Sequence, residues 1–382
     1  MELQILVRGQ SNAVLFAEGD HYAAMGRLVT NVQTLLGFDG VNDTVKTIYK
    51  QADDQSGTAR GATAFLGDWM QAGADGIYHP AALENGVVRA AAELHDPAAV
   101  STAVLWLHSE YDSTHADLSP GTWMAAVRQD AALVRSALGG DAASVPYEFV
   151  SAHPYGSGTG EGHQAIRLGM EALANDPGFH ARIAARALDI DASLDNQDGD
   201  WTTTEYGGGH IVPSDATLIA DRAARTIAED WAAYAKPGSP VALAGGDIAD
   251  AGPRVVSADA IGPATLRLEV AQDQGGGFAP LDADAAHGIG WGVAPGDGLA
   301  PQVSAVSAVV QDPQTIDVTF AAPLPAAGGV LHYGWGYGRL ADNAGPAHGN
   351  AITDEAGLPI WTPATGIHIG APAVPTDDPW LA

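Results

Sequence analysis

The stretch Leu3-Gln4-Ile5-Leu6-Val7-Arg8-Gly9-Gln10-Ser11-Asn12-Ala13 decides the fold. Its apolar run stops abruptly at Gly9-Gln10-Ser11-Asn12. A strand buried in a parallel sheet reads as such a run, and a glycine past its end lets the backbone turn toward a helix. Ser11 is therefore expected at the carboxyl edge of a central sheet, where open α/β folds build their sites. A serine hydroxyl placed there can attack an ester carbonyl if a base takes its proton and nearby N–H or amide donors hold the oxyanion. A bare Gly-x-Ser, in contrast, reads first as a polar turn after an opening strand.

The four consecutive residues GQSN resemble the nucleophile block of the SGNH (GDSL-like) hydrolases, in particular the sialate O-acetylesterase and acetylxylan esterase branch. That resemblance implies an α/β fold, a flavodoxin-like three-layer sandwich around a parallel sheet. It makes Ser11 the nucleophile and sets Gln10 and Asn12 beside the oxyanion and substrate. It also calls for partners further along the chain.

The totals bound what those partners can serve. At 382 residues the chain suggests two domains, and 46% hydrophobic residues point to packed cores. The formal charge is −29, from 46 acids against 17 bases, with lysine only at Lys46, Lys50 and Lys236. Such a surface repels phosphate backbones and anionic membranes, which argues against a nucleic-acid partner and favours a neutral substrate. There is no cysteine, which removes disulfides, thiolate metal sites and a cysteine nucleophile. No His-Glu-x-x-His or comparable metal spacing occurs, and no cofactor is implied. No apolar run is long enough to span a bilayer, and no signal peptide precedes the first strand. Either the chain is not exported by that route or a leader has been removed, the latter favouring an extracellular or periplasmic place.

Along the chain, Met25, Leu28, Val32, Leu35 and Leu36 recur at helical spacing up to a stop at Gly37. A strand is expected over Val45–Asp53, and a glycine-bearing loop with a helix start over Thr58–Met70. In the resembled family a glycine of this second block lends its N–H to the oxyanion hole. Gly61 is the choice here, with Gly57 and Gly67 as rivals, and a plain turn glycine is the alternative. A helix follows from Pro80 to Leu94, then a strand that ends in Trp106-Leu107-His108-Ser109-Glu110-Tyr111-Asp112. This run resembles the Trp-x-Gln-Gly-Glu-x-Asp block of the same esterases, with His108 for the glutamine and Ser109 for the glycine. His108 could then donate to the oxyanion through a ring N–H, its strength set by tautomer and pH. Glu110 and Asp112 read as orienting groups.

Thr122–Leu138 is an amphipathic covering helix, Pro146–Pro154 a strand, and Tyr155–Leu173 a glycine-rich loop opening a helix. No lysine follows these glycines at Walker spacing, so a P-loop is excluded. His153 and His163 flank the loop, as substrate contacts or as solvated histidines. A strand with Leu188 and Ile190 is expected next, then an acidic loop, then His210 just before a closing helix from Asp215. By its place in the block order His210 matches the family's general base. The resembled proteins carry an Asp three residues earlier, where this chain has Gly207. Glu205 is the first substitute for that acid, followed by Asp198, Asp200 and Glu110, or a backbone carbonyl.

After Lys236 a Pro/Gly-rich connector leads to short alternating runs at Thr265–Val270, Gln302–Val310, Thr315–Phe320 and Gly329–Tyr333. The expectation is a catalytic α/β domain over residues 1–240 and a β-sandwich over 241–382 ending in a proline-rich tail. Tyr333, Trp335 and Tyr337 either stack on sugar rings or pack against the first domain. The resemblance implies an acylated carbohydrate as substrate and a serine esterase that removes acetyl groups from it. The alternatives are a carbohydrate-binding protein that has lost turnover and a glycan O-acyltransferase.

Overall fold

The computed structural model describes residues 1–18, 23–49, 63–139, 145–151, 155–193, 209–325, 328–336, 340 and 347–371. The opening run forms β1 (Glu2–Gly9), followed by α1 (Ser11–Glu18), α2 (Ala24–Leu36) and β2 (Thr44–Ile48). Next come β3 (Met70–Ala72), β4 (Tyr78–Pro80), α3 (Ala82–Leu94), β5 (Ser101–Leu107), α4 (Pro120–Ala137), β6 (Tyr147–Ser151), α5 (Gly160–Ala174) and β7 (Ala181–Arg186). The first unit ends with β8 (Ala192–Ser193), β9 (His210–Ile211), α6 (Pro213–Asp230) and the short α7 (Pro240–Leu243). Five strands make one parallel sheet in the order β2-β1-β5-β6-β7.

The alternation of side chains along β1 builds the layers. Leu3, Ile5 and Val7 enter a core with Leu28 and Val32 of α2 and Ile219 and Ile227 of α6. Leu6 faces the other way, into a core with Val87 of α3, Val127 of α4 and Ile166 of α5. Helices thus cover both faces, as a buried parallel sheet requires. In α2 the buried positions are Ala24, Leu28, Val32 and Leu36, and Gly37 ends the helix at φ 72°, the left-handed cap its sequence announced.

Two readings need correction. The strand expected at Leu188 and Ile190 lies earlier, at Ala181–Arg186, whose sequence ARIAAR carries one aliphatic residue larger than alanine. Leu188 follows it and is buried in the second unit's core, while Ile190 joins the first. The helix start expected before Met70 is a single kinked turn, Phe65–Trp69, broken by non-helical angles at Leu66 and Gly67.

The second unit is a seven-stranded antiparallel sheet built from β10 (Arg254–Gly262), β11 (Thr265–Ala271), β12 (Trp291–Ala294), β13 (Val303–Asp312), β14 (Thr315–Phe320), β15 (Val330–Tyr333) and β16 (Ile367–His368). Its order is β10-β11-β14-β13-β12-β15-β16, and the Gly370 N–H donates to Ala258 O at 2.8 Å, nearly closing the sheet on itself. This is consistent with the expected β-sandwich. The alternating runs became β11, β13, β14 and β15. β10 was missed because a register shift between Val255 and Ser257 spoils its alternation, and β12 because it is four residues long. The two units are stitched together along α5. Gln164 donates to Ala364 O at 2.5 Å and accepts from Gly336 N at 3.1 Å, and Arg167 donates to Gly334 O.

Where β1 leaves the sheet, Gly9 passes so close to β5 that a Cβ on it would lie 1.7 Å from Leu107 O. Gly9→Ala is therefore expected to destabilise the protein by about 3 kcal/mol or more. Urea denaturation checks this, and an unchanged midpoint would contradict the close approach of the two strand ends.

Candidate functional site

The sheet order reverses between β1 and β5, so their carboxyl ends flank the crevice in which open α/β folds bind ligands. Gly9 and Leu107 are register partners at that edge. Everything that sequence reasoning placed at Gln10–Asn12 and His108–Asp112 therefore emerges side by side. Ser11 is the first residue of α1 and partly exposed. The Gln10 carbonyl accepts from Val14 N at 3.0 Å and fixes the start of the helix.

Asn12 is fully buried and joins three segments. Its Nδ2 donates to Glu110 Oε1 at 3.0 Å and to Gly209 O at 3.1 Å, while its Oδ1 accepts from Ile211 N at 3.0 Å. The two backbone groups that it holds lie on either side of His210. The residue after Ser11 thus fastens the His210 segment to the end of β1. His210 itself pairs with Ser193 in the two-stranded β8–β9 ribbon and is partly buried. Burial holds its imidazole below the ordinary histidine value, so it is neutral at pH 7.

Glu110 is 2% exposed and also takes a hydrogen bond from the Gln10 side chain. Burial pushes its carboxyl up to about 7 against those hydrogen bonds. Asp112, equally buried, is likewise pushed up to about 7 by burial. Its two oxygens accept from Phe65 N at 2.9 Å and Leu66 N at 2.8 Å, which ties the kinked turn to the end of β5. Both carboxyls thus accept hydrogen bonds from neighbouring segments. Ser109, where the resembled block has glycine, adopts φ 83°, a left-handed conformation that glycine takes without strain. Trp123 Nε1 donates to its Oγ at 3.0 Å and holds the serine there.

His108 is 1% exposed, its ring set among Phe65, Trp69 and Trp106 at centroid distances of 5.3, 4.6 and 5.5 Å. Arg8 Nη2 stands 3.3 Å from its Nδ1. A guanidinium only donates, so Nδ1 must accept and the ring proton sits on Nε2. That Nε2–H has no hydrogen-bond partner among the described residues. Burial, with the Arg8 charge, keeps the ring well below the ordinary value, so tautomer and charge state are both fixed.

Arg8 is the residue that sequence reasoning passed over. It is buried, ion-paired with Glu84 of α3 at 3.1 Å and with Asp130 of α4, and its guanidinium lies 4.5 Å from the Trp106 ring centre. The Tyr147 hydroxyl donates to Asp130 at 3.0 Å and completes the arrangement. The available signal was a lone cation inside an aliphatic run, since a buried charge needs partners.

The other candidates divide. Gly57, Gly61, His153, Asp198, Asp200, Glu205 and Gly207 lie outside the described residues, as does Tyr337. Gly67 is exposed at φ 111°. His163 is neither a loop residue nor solvated: it lies in α5, 3% exposed, with Nε2 3.4 Å from Tyr155 O. Tyr333 packs on Trp291 at 4.3 Å inside the second core. Among the described residues no group of three or more His, Cys, Asp or Glu side chains is arranged to hold a metal ion, and no helix is long and apolar enough to cross a membrane.

No protein-family model matches the chain, and no curated protein is similar to it. Among solved structures it is similar to a carbohydrate acetylesterase from Xanthomonas citri, with a TM-score of 0.52 at 13% identity, over 94% of this chain and 79% of that one. At that identity the likeness shows the fold alone, and its extent takes in both units. The bacterial S-layer protein SbsC matches 40% of this chain and 19% of its own at 16% identity, with a TM-score of 0.23, too slight to bear on the fold.

The buried carboxyls give stability a definite pH dependence. Glu110 and Asp112 are joined by Asp215 and Glu229, both pushed up to about 7 by burial, and by Glu148, raised by burial and by Asp230 beside it. Unfolded carboxyls titrate near 4, so each of these groups favours folding below that value and loses its contribution as pH rises through its folded value, about 7 for Glu110, Asp112, Asp215 and Glu229. The unfolding free energy is expected to fall between pH 5 and pH 8 in urea titrations. A rise over that range would contradict the assignment.

Proposed function

We propose that the protein is a serine esterase removing short acyl groups, acetyl foremost, from carbohydrate hydroxyls. The observation that carries this reading is the Asn12 side chain, which binds the backbone on both sides of His210 while following Ser11 in sequence. The fold shared with a carbohydrate acetylesterase supports it.

In this mechanism Ser11 Oγ attacks the acyl carbonyl carbon and gives its proton to His210. The oxyanion is held by the Ser11 and Gly61 N–H groups and by His108 Nε2–H. The bond to the sugar oxygen then breaks, and His210 returns the proton to that oxygen. Water attacks the acyl-serine, its proton passes to His210 and on to Ser11, and the free acid leaves. Glu205 is assigned to orient His210, in place of the Asp that Gly207 removes. Gln10 and Asn12 act by holding Glu110 and the His210 segment. Arg8 acts through His108 by keeping the proton on Nε2.

Hydrolysis of p-nitrophenyl acetate tests this. Ser11→Ala is expected to lower kcat at least about 10³-fold, and unchanged turnover would dispose of the mechanism. No turnover by the native chain would favour the binding-protein alternative, and acyl transfer to added glycan the transferase. The acid limb of kcat/KM is expected below pH 6.5, because burial lowers His210. His108→Gln, which restores an amide donor, should stay within about tenfold of native activity, whereas His108→Leu should lose about 10²–10³-fold. Equal effects of these two changes would remove His108 from the oxyanion site.

A further inference from the structure

Between α5 and the second sheet lies a cleft of about 490 Å³, within the usual size of roughly 300–1,000 Å³ for small-molecule sites. Trp335 stands in its wall, partly exposed, with its ring edge seated on Gly160; a Cβ there would lie 2.7 Å from Cζ3. Glu161, Asp297 and His368 line the same cleft, the last two 3.1 Å apart on its exposed side. His332 lines it as well, only 3% exposed, with Nε2 unpartnered among the described residues.

We propose that this cleft binds a neutral oligosaccharide, one sugar ring lying against Trp335; the link to catalysis rests on the esterase reading, the binding itself does not. An indole face beside carboxylates and imidazoles suits a ring with an apolar face and a rim of hydroxyls. Burial and nearby Arg167 hold His332 down at about 4, so it meets a hydroxyl as a neutral ring that both donates and accepts. Glu161 and Asp297 disfavour an anionic sugar. Hydrogen bonds also join the cleft wall to the candidate active site. Trp335 rests on Gly160, and the preceding Thr159 donates from its Oγ1 to Ser113 O at 3.0 Å. Ser113 Oγ donates to Glu110 O at 2.5 Å, and Glu110 holds Asn12.

Isothermal titration of the full chain with xylotetraose, cellotetraose and chitotetraose tests the proposal without any turnover. At least one is expected to bind saturably. Trp335→Ala should weaken it about tenfold or more, and Trp335→Phe should retain it. Thr365→Trp, at an exposed wall position, should block it even if Trp335→Ala fails to fold. No binding by any of the three, or binding untouched by Thr365→Trp and by a folded Trp335→Ala, overturns the proposal. Turnover of p-nitrophenyl acetate without oligosaccharide binding would reject the cleft and leave the esterase. Binding without turnover would do the reverse.

Discussion

The arrangement depends on one buried amide. Asn12 is inaccessible to water, so each of its polar atoms must find a partner within the protein or carry a desolvation cost of about 1–3 kcal/mol. Its carbonyl oxygen is met by Ile211 N–H, and its amide nitrogen meets both Glu110 and Gly209 O. These partners come from two places in the chain, the farther one nearly 200 residues from Asn12. The helix that starts at Ser11, the end of β5 and the loop before α6 are thereby held to one another by a side chain that no other residue of similar shape could replace. Aspartate lacks the donor, and leucine lacks both functions.

A second constraint is the charge placed behind that amide. The chain is strongly acidic, yet it buries Arg8 on β1, an inner strand, and neutralises it with Glu84, Asp130 and the face of Trp106. Removing one partner of such a group is usually far more damaging than replacing the whole set, because the remaining charge is left dry. The geometric consequence reaches His108, whose tautomer follows from the one thing a guanidinium can do. A structural ion pair thus determines which nitrogen of His108 carries the proton.

The first strand, the turn at Gly9 and the α2 helix were legible because their signals are local: a continuous aliphatic run, a required glycine and a four-residue spacing of buried side chains. The block from Trp106 to Asp112 was singled out by resemblance, and in it Glu110 and Asp112 accept hydrogen bonds from neighbouring segments. β7 was misplaced because ARIAAR is poor in the large aliphatics that mark a buried strand, and its burial comes from the helices packed over it. His163 was misread because glycines around it suggested a loop, whereas Thr159 caps a helix there by accepting from Gly162 N at 3.0 Å. The partners of Arg8 were invisible in sequence, since Glu84 and Asp130 meet it only through the packing of α3 and α4 on the sheet. Such contacts belong to tertiary structure, and no local pattern carries them.

The central claim is that Ser11 becomes a nucleophile because His210 is brought to it. Treatment with a fluorophosphonate, followed by peptide mass spectrometry, tests that claim most directly, since only an activated serine displaces the fluoride. The account predicts a single adduct on the peptide containing Ser11, absent when His210 is replaced by alanine. An unlabelled Ser11 in the native protein, or labelling that survives the loss of His210, would contradict it.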